Sequence, residues 1–260
     1  MIYDLIIIGA GPAGLSAAIH AKRFGLNFLL LEKGVPGGQA RAANLIENYP
    51  GLPLISGGAL MDRFLSQMAS LGIDITKTEI KNVSKNNDKF ILKGNGSDFF
   101  ARSVILATGL KPINLNLKFE KSVHYYPDPL SLGHDGRDVL VVGGGDSAFD
   151  EAISFAVRAK SVTIAIRGVK PKATSRLVER AMSRGVKVKT GINEAELVKT
   201  NADIIVACCG KQQDLSILDR SLQVTQLQII GDLLHPDIRH IAAATGDGVC
   251  AVERIVRKVL

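Results

Sequence analysis

Short apolar runs alternate with amphipathic segments along the chain. The runs "YDLIIIG" and "NFLLLEK" have the composition of buried parallel strands, and the helical spacing of apolar residues between them predicts a helix that ends at Gly25. The same order of strand, turn, helix and strand returns from "DVLVVG" to "SVTIAIR". Because helices that join parallel strands build doubly wound sheets, the pattern predicts an α/β protein with two Rossmann-like dinucleotide-binding domains.

The segments between and after the two copies set the domain boundaries. Residues 59–71 have helical spacing and stop at Gly72, and three short β-like runs, 78–83, 89–94 and 98–102, predict an antiparallel meander. The last segment holds a strand, a loop and a long helix without a partner unit of its own. We therefore expect a discontinuous first domain, in a three-layer ββα arrangement, over 1–112 and 222–260. The second domain is expected over 113–221, entered through an irregular linker, 113–137.

Composition narrows the function classes. The 260 residues suffice for one large core or two modest ones, and no apolar run approaches the roughly 18 residues that span a bilayer. No signal peptide is recognisable, so we expect a cytoplasmic protein without a membrane partner. The net charge of +7 fits either a basic surface or an anionic cofactor or acidic partner. Basic patches interleaved with aromatic residues are missing from the sequence, so nucleic acid is not an expected partner.

The cysteines do not predict a metal site. Cys208, Cys209 and Cys250 lack zinc-ligand spacing, and the five histidines are scattered. Cys208 and Cys209 fall in a β-like run, where neighbouring side chains point to opposite faces, and a vicinal disulfide stays open as an alternative. Cys250 is expected to pack inside the C-terminal helix.

Each copy of the repeat carries a glycine-rich turn between a strand and a helix. The first turn holds Gly9, Gly11 and Gly14, and the second holds Gly143 and Gly145. Such a turn brings backbone N–H groups and a helix N-terminus to a pyrophosphate without an intervening Cβ. We therefore expect one dinucleotide in each domain.

The residue at the end of the second strand differs between the copies. Glu32 in the first copy is suited to accept hydrogen bonds from ribose hydroxyls and would repel a 2′-phosphate. Arg167 in the second copy suits a 2′-phosphate, with Lys170 and Lys172 nearby, although a solvated surface charge remains the alternative. The first site therefore favours FAD or NAD, and the second favours NADP.

Several blocks then resemble the thioredoxin reductase family of two-domain flavoproteins. The blocks are "GAGPAGLSAA", "GGQ", "ENYPG", "ISGGALMDRF", "ILATG", "GGGDSAFDEA", and the tail with Gly231–Asp232 and "RHIAAATGDGVCAV", in that order. The resemblance covers nearly the whole chain. It implies that nicotinamide passes hydride to FAD, that the flavin supplies the redox chemistry, and that the protein is a homodimer.

The resemblance also assigns site residues. Glu32 would bind the AMP ribose, Gln39 and Asn48 would lie near the flavin, Val83 near the adenine and Asp232 at the ribitol. The backbone at His240 and Ile241 would approach the pyrimidine edge of the flavin, where the positive end of a helix would stabilise negative charge. The full set for FAD is Gly9, Gly11, Pro12, Ala13, Gly14, Glu32, Lys33, Gly38, Gln39, Asn48, Val83, Ala107, Thr108, Gly109, Gly231, Asp232, Arg239, His240 and Ile241. The set for NAD(P) is Gly143, Gly145, Asp146, Ser147, Ala148, Arg167 and Lys172.

Four departures from the family pattern bear on function. The redox Cys-x-x-Cys is replaced by Tyr126-Pro127-Asp128-Pro129, so an intrinsic dithiol is absent from the sequence. Gly168 and Lys172 replace two of the three arginines of the NADP motif, so NAD remains possible. His240 replaces a usual glutamine. The stretch 212–230 is short, so that a β-hairpin is trimmed.

The block "SVHYYPDPLSL" instead resembles the thioredoxin-reductase-like ferredoxin–NADP reductases, which lack the cysteines. That group usually carries a C-terminal extension over the flavin, whereas this sequence stops at Leu260. His124, Tyr125 and Tyr126 would shield the flavin or simply pack in the linker. The first hypothesis is thus an FAD-dependent NAD(P)H oxidoreductase without a dithiol, with ferredoxin or flavodoxin as electron acceptor. The alternatives are thioredoxin-type reduction of a partner disulfide, and a non-catalytic FAD-binding or sensing paralogue.

Overall fold

The computed structural model describes residues 1–117, 119, 121–127, 132–222 and 227–259. The chain forms two compact units. Unit 1 comprises Met1–Arg41, Ile46–Lys111 and Gln212–Leu260, and unit 2 comprises Ala42–Leu45 and Pro112–Lys211. The return to unit 1 thus comes at Gln212, earlier than the position 222 expected from the sequence.

Fourteen strands and six helices are assigned within the described residues. The strands are β1 (Ile2–Ile8), β2 (Phe28–Glu32), β3 (Ile75–Lys77), β4 (Ile80–Asn86), β5 (Lys89–Gly94), β6 (Asp98–Leu106), β7 (Leu110–Pro112), β8 (Val123–Tyr125), β9 (Asp138–Val142), β10 (Ser161–Ile166), β11 (Lys187–Thr190), β12 (Ile204–Ala207), β13 (Lys211–Gln213) and β14 (Gln228–Ile229). The helices are α1 (Pro12–Arg23), α2 (Gly57–Ser70), α3 (Asp146–Phe155), α4 (Ser175–Ser183), α5 (Glu194–Val198) and α6 (Ile241–Val259).

Unit 1 contains a seven-stranded sheet in the order β3-β2-β1-β6-β5-β4, with β14 beside β6. Strand β1 pairs in parallel with β2 and β6, while β4, β5 and β6 form the antiparallel meander that the sequence predicts. Ile6, Ile8 and Leu31 share a buried cluster with Phe90 and Leu92 of the meander. Side chains alternate along a strand, so Leu5 and Ile7 point to the opposite face, where α1 packs on β1. One face of the parallel strands therefore packs with residues of the meander, and α1 packs on the other face.

Helices α1 and α6 of unit 1 approach each other closely. A Cβ at Gly248 would lie 2.5 Å from the carbonyl oxygen of Ala13 and 2.8 Å from the nitrogen of Ala17. The Ser16 hydroxyl donates to the Thr245 carbonyl over 2.8 Å. The absence of a side chain at Gly248 therefore permits backbone-to-backbone packing near the N-terminal halves of both helices.

Unit 2 contains a five-stranded parallel sheet in the order β11-β10-β9-β12-β8. Val139 and Val141 of β9 face a cluster that includes Phe149 of α3, and Leu140 and Val142 face a second cluster on the other side. Both faces of the sheet are covered at its centre, which explains why β9 and β12 are nearly continuous apolar runs in the sequence.

Several elements differ from the sequence-based expectation. Strand β8 lies inside the stretch predicted to be irregular, and the short helix α5 had no predicted counterpart. Helix α3 ends at Phe155 rather than near residue 159. Strands β7 and β13, where the chain passes between the units, pair with each other.

The cysteines are all free. Cys208 is buried and Cys209 is exposed, as expected for adjacent residues with opposite orientation, and the alternative of a vicinal disulfide is not realised. The expectation that Cys250 packs inside was wrong, because this residue lies on an exposed face of α6. Within the described ranges, none of the helices combines the length and apolarity that crossing a membrane requires.

Candidate dinucleotide-binding sites

The first glycine turn of unit 1 has no room for side chains at its first and third glycines. Gly9 has φ +104°, and a Cβ there would overlap the Ala107 carbonyl oxygen and lie 2.8 Å from its carbon. A Cβ at Gly14 would overlap the carbonyl oxygen of Gly9. The turn between β1 and α1 therefore depends on glycine for its conformation and for the close packing of α1 on it.

Gly11, between them, faces open space instead. Its φ of −76° is accessible to any residue, and a Cβ there would have no atom within 4 Å. It is the N-cap of α1 and provides no side-chain cap, so the helix N-terminus is open to an outside acceptor. This combination of a positive helix end and a missing side chain fits a pyrophosphate.

Glu32 is fixed beside the same turn. Its carboxylate accepts from the backbone N–H groups of Ala10 and Gly34, both at 2.7 Å. A carboxylate has about four acceptor sites, so this one retains capacity for ribose hydroxyls. Beyond it lies an open depression of about 540 Å³ lined by Lys33, Lys77, Thr78, Glu79 and Asn95.

A second helix N-terminus converges on the start of α1. Gly231 has φ +67° and lies between Ala13 and Ala244, because a Cβ there would be 2.9 Å and 3.7 Å from their Cβ atoms. Its N–H donates to the Asp247 carboxylate over 3.0 Å. The first turns of α1 and α6 therefore flank the Gly231–Leu233 turn, which contains Asp232. Two positive helix ends in one place favour an anionic ligand.

Asn48 and His240 meet at this end of unit 1. The Asn48 amide nitrogen is 3.3 Å from His240 Nδ1, although the residues are 192 positions apart in sequence. The resemblance had assigned both to the flavin, and the structure brings them together immediately before Ile241, the first residue of α6.

Other predicted FAD residues surround the turn. A Cβ at Gly38 would lie 3.2 Å from Gly11 Cα, and the Gln39 amide donates to the Leu110 carbonyl over 2.7 Å. Thr108 and Gly109 follow Ala107 beside Gly9. Lys33 forms an exposed ion pair with Glu79 at 3.6 Å.

Val83, expected to lie near the adenine, is held by a segment from the C-terminal part of the chain. The side chain is fully buried, the backbone N–H donates to the Ile217 carbonyl over 2.6 Å, and the carbonyl accepts from Asp219. The N–H and the carbonyl of Val83 are therefore both engaged within the protein. The adenine contact of Val83 stays a prediction.

The glycine turn of unit 2 repeats the geometry of the first. Gly143 has φ +148°, and a Cβ there would overlap the Cys208 carbonyl oxygen and lie 2.9 Å from its carbon. Gly145 is the uncapped N-cap of α3 and, like Gly11, has open space where a Cβ would point. Ala148 takes the third position and is fully buried. In both units the turn lies where the strand order changes direction, the usual ligand position in such sheets.

The loop after β10 brings basic residues to this second turn. The backbone N–H of Lys172 donates to the Gly144 carbonyl over 2.7 Å, and the N–H of Thr174 donates to Asp146 over 2.8 Å. Arg167 and Lys172 are exposed, and Ser147 follows Asp146 in the first turn of α3. The predicted NAD(P) residues therefore belong to one edge of the unit 2 sheet.

Two thiols lie at the same edge but do not form a redox pair. The Cys209 thiol is 3.4 Å from the carbonyl of Val142, the residue before Gly143. Although the residue is exposed, its sulfur is partly buried, and this partial burial raises the pKa of the Cys209 thiol; the charge of Arg167 partly offsets the effect. Burial raises the pKa of Cys208 more strongly, so its thiol is the poorer nucleophile.

Tyr126 stands where the family resemblance would place the first redox cysteine. Its φ of +47° is rare for a residue with a side chain. The ring lies 4.0 Å from Lys211 Nζ, and its hydroxyl donates to the Gly210 carbonyl over 3.4 Å. The hydroxyl of Tyr125 accepts from the Leu115 N–H over 3.0 Å. Asp128 and Pro129 of the same predicted motif lie outside the described residues.

Sequence reasoning missed several residues beside the sites. Asp247 orients Gly231, and the "GDG" that contains it gave no signal distinct from the helix around it. Lys77, Thr78 and Asn95 line the depression beyond Glu32, and only the pairing of β3 with β2 brings Lys77 next to Glu32. Within the described residues no cluster of His, Cys, Asp and Glu is suited to a metal, so no metal site is assigned.

Comparison with known proteins agrees with this architecture. Residues 3–225 match the family described as pyridine nucleotide-disulphide oxidoreductase. Thioredoxin reductase of Bacillus subtilis is 29% identical, with 98% of this chain and 94% of that protein covered. Thioredoxin reductase of Ureaplasma parvum is 30% identical, over 96% of this chain and 94% of that protein. The Bacillus alignment spans 296 residues against the 260 of this chain, so the relative has internal segments that this chain lacks.

The fold comparison leads to the same group. The crystal structure of Lactococcus lactis thioredoxin reductase superimposes with a TM-score of 0.85 at 27% identity, covering 99% of both chains. Two glycine turns of matching geometry, a family match over most of the sequence and a full-length structural match make the chain an oxidoreductase of the thioredoxin reductase type, a member of the pyridine nucleotide-disulphide oxidoreductase family.

Proposed function

We propose that the chain is an FAD-dependent NAD(P)H oxidoreductase that passes electrons to an external one-electron carrier. The observation that carries this proposal is the pair of glycine turns with an open second glycine, one followed by Glu32 and the other by Arg167. A bound flavin would supply the redox chemistry, because it can accept a hydride from the nicotinamide and release electrons to an acceptor. The chain's own residues would bind and orient the two nucleotides and would place complementary charges beside them.

Unit 1 fits FAD. The open space at Gly11 and the N-terminus of α1 would bind the pyrophosphate, and Glu32 would accept hydrogen bonds from the AMP ribose. Asp232 would bind the ribitol. The N-terminus of α6 would stabilise negative charge on the pyrimidine edge of the ring system.

Unit 2 fits the nicotinamide nucleotide. Gly145 leaves room for the pyrophosphate at the N-terminus of α3, and Arg167 with Lys172 offers cations for a 2′-phosphate. Gly168 provides no cation where the family motif has an arginine, so we propose a preference for NADPH that still admits NADH.

The proposed electron acceptor is one that does not require a dithiol in this chain. Its sequence has no Cys-x-x-Cys, and the free thiols of Cys208 and Cys209 are hindered by raised pKa values. A ferredoxin or flavodoxin requires no dithiol in the reductase. Such carriers are usually acidic, and the net charge of +7 would accelerate their encounter.

A second candidate is reduction of a partner's disulfide. The relatives named above are thioredoxin reductases, which favours this activity. It would require the partner to supply both sulfurs, since Tyr126 and Pro129 stand at the two cysteine positions of the family motif and carry no sulfur. A homodimer is also proposed from the family resemblance and can be checked by sedimentation equilibrium.

The test begins with the purified chain reconstituted with FAD. Anaerobic addition of NADPH or NADH should bleach the visible flavin absorbance, and reoxidation should then be followed with ferredoxin, flavodoxin and thioredoxin in parallel. Fast reoxidation by ferredoxin or flavodoxin supports the first proposal, and fast reoxidation by oxidised thioredoxin replaces it with the second. Tight FAD binding without bleaching by either nucleotide would leave a binding or sensing paralogue.

A further inference from the structure

The loop that follows β10 carries the cations of the second site and is fixed against the second glycine turn. Within residues 167–174, which we call the basic loop, all three cations are exposed and no acidic residue occurs. The Gly144 carbonyl accepts two N–H groups of this loop, from Lys172 over 2.7 Å and from Ala173 over 3.1 Å. Backbone contacts therefore hold the loop while its charged side chains remain in solvent.

Asp146 supplies a third contact to the basic loop from the start of α3. Its carboxylate accepts the N–H of Thr174 over 2.8 Å, across 28 positions of sequence. Thr174 is the N-cap of α4, so this hydrogen bond fixes the end of the loop where it enters the helix. The carboxylate lies at the first turn of α3 and beside the start of α4, where the positive helix ends favour a negative charge.

Unit 1 holds the equivalent loop with a carboxylate from a different position. The Ala10 carbonyl of the first turn accepts the N–H of Gly37 over 2.7 Å, in the same way as the second turn accepts N–H groups of the basic loop. The Glu32 carboxylate, at the end of β2, accepts the N–H of Ala10 in the turn and the N–H of Gly34 in the loop. A carboxylate at the strand end therefore links turn and loop in unit 1.

The strand end has the opposite charge in unit 2. Arg167 stands there in place of Glu32, and a guanidinium cannot accept a backbone N–H. Asp146 provides the acceptor from the helix side instead, at the position where unit 1 has Pro12. The linking carboxylate has thus moved from the strand end to the helix start, which leaves the strand end available for a cation.

We propose that Asp146 is a positioning residue that holds the basic loop so that its cations meet the 2′-phosphate of NADP. The inference rests on nicotinamide nucleotide binding by unit 2, and it gives Asp146 a part in the selection between NADPH and NADH. Direct contact with the nucleotide is a less favourable use of this carboxylate, because the pyrophosphate and the 2′-phosphate are also anions. The acceptor oxygen of Asp146, and not its charge, is the property that the loop requires.

The test compares Asp146→Ala with Asp146→Asn, because both variants lose the charge and only asparagine keeps an acceptor oxygen. Isothermal titration calorimetry of the purified full chain, with FAD present, gives the dissociation constants for NADP⁺ and NAD⁺. The alanine variant should bind NADP⁺ about 5-fold more weakly than the asparagine variant, as expected for the loss of one hydrogen bond. The two variants should bind NAD⁺ equally, because NAD⁺ has no 2′-phosphate.

Amide hydrogen exchange of the same proteins without a nicotinamide nucleotide reports on the loop itself. The Thr174 amide should be protected in the wild-type protein and in Asp146→Asn, and it should exchange faster in Asp146→Ala. Thr174→Pro removes the donor instead of the acceptor, at a φ of −60° that proline adopts. This variant should weaken NADP⁺ binding relative to NAD⁺ binding, as Asp146→Ala does.

The possible failures are distinguishable. Equal NADP⁺ affinity in Asp146→Ala and Asp146→Asn, or an unchanged exchange rate of Thr174 in the alanine variant, overturns the inference while the nucleotide site stands. An equal loss of NADP⁺ and NAD⁺ affinity in both variants shows direct contact of Asp146 with the nucleotide and also overturns it. A wild-type protein that binds neither nucleotide, or both equally, overturns the function proposed for unit 2 together with this inference.

Discussion

Alanine at Gly11 should abolish FAD binding without unfolding the protein. An alanine fits the φ of −76° and meets no atom within 4 Å, so it introduces no steric strain. Restricting the unfolded chain should stabilise by about 0.4–1 kcal/mol, and the poorer N-cap should cost a similar amount. We therefore expect the free energy of unfolding of the apoprotein to change by less than about 0.5 kcal/mol.

Alanine at Gly14 should have the opposite profile. Its Cβ would overlap the carbonyl oxygen of Gly9 and lie 3.0 Å from the carbonyl carbon, and neither backbone atom can rotate away. Helix α1 would have to move outward, against its packing on α6. Overpacking of this kind costs about 3 kcal/mol, which corresponds to roughly 6–12 °C in the unfolding temperature.

The assay is thermal unfolding of the apoprotein with and without FAD. At a free FAD concentration of about 100 Kd, binding stabilises the wild-type protein by about 2.7 kcal/mol, or roughly 5–11 °C. Without FAD, the Gly11→Ala variant should unfold at the same temperature as the wild-type apoprotein. Addition of FAD should not raise the unfolding temperature of this variant. Gly145→Ala is the matched variant in unit 2. FAD should still raise its unfolding temperature, whereas NADP⁺, which should stabilise the wild-type protein, should not stabilise this variant.

Two results would refute this reasoning. If Gly11→Ala destabilises the apoprotein as much as Gly14→Ala, the space at Gly11 serves folding and not a ligand. If Gly11→Ala is stabilised by FAD as the wild-type protein is, the pyrophosphate does not lie at the N-terminus of α1.

Three further predictions address the second site and the helix packing. Arg167→Ala should raise KM for NADPH about 10-fold and leave KM for NADH nearly unchanged. A hydrogen bond to a charged group contributes about 1.5–3 kcal/mol, and we expect the lower end of this range because the Arg167 side chain is exposed. Equal effects on both KM values in steady-state kinetics would count against a 2′-phosphate contact. Gly248→Ala should lower the unfolding temperature, since its Cβ would lie 2.5 Å from a carbonyl oxygen of α1, whereas Gly246→Ala on the open face of the same helix should raise stability by about 1 kcal/mol. Iodoacetamide should label Cys209 and Cys250. The rate of Cys209 labelling should increase with pH, because the raised pKa of this thiol lowers the fraction present as thiolate. Mass spectrometry should show that NADP⁺ protects Cys209 alone.

The sequence contained enough information for the two turns because their requirements are local. Glycine at positions 9 and 143 is dictated by a positive φ and by a neighbouring carbonyl, and the strand and helix on either side are short-range apolar patterns. Asn48 and His240 came from the family resemblance alone. No local rule relates an exposed asparagine to a histidine 192 positions away, so only the folded chain shows their contact.

The parts that sequence reasoning missed depend on non-local packing. Strand β8 has three residues and is stabilised by its pairing with β12, which the surrounding proline- and aspartate-rich segment does not reveal. The backbone hydrogen bonds of Val83 with residues 217–219 join segments far apart in the sequence, and no local pattern reveals them. Cys250 was expected inside from residue type alone, whereas the interhelical packing of α6 places Gly248 in the contact and Cys250 outside it.

The differences between the two turns fit a retained cofactor in unit 1 and an exchanging one in unit 2. The first glycine of each turn, Gly9 or Gly143, lies close to the carbonyl of the residue that follows the neighbouring strand, so the two turns have the same shape. The third position is Gly14 in one copy and Ala148 in the other, and only a glycine allows the helix to approach its turn as closely as α1 does. Unit 1 adds the N-terminus of α6, whereas the basic residues of unit 2 are exposed on a loop. A nucleotide bound between two helix ends should dissociate more slowly than one bound by exposed cations, because surface charges contribute little affinity in water. On the proposed assignment, a flavin in unit 1 would remain bound through each turnover while the nicotinamide nucleotide in unit 2 would leave, and changes at a few positions of the duplicated turn would suffice for both requirements.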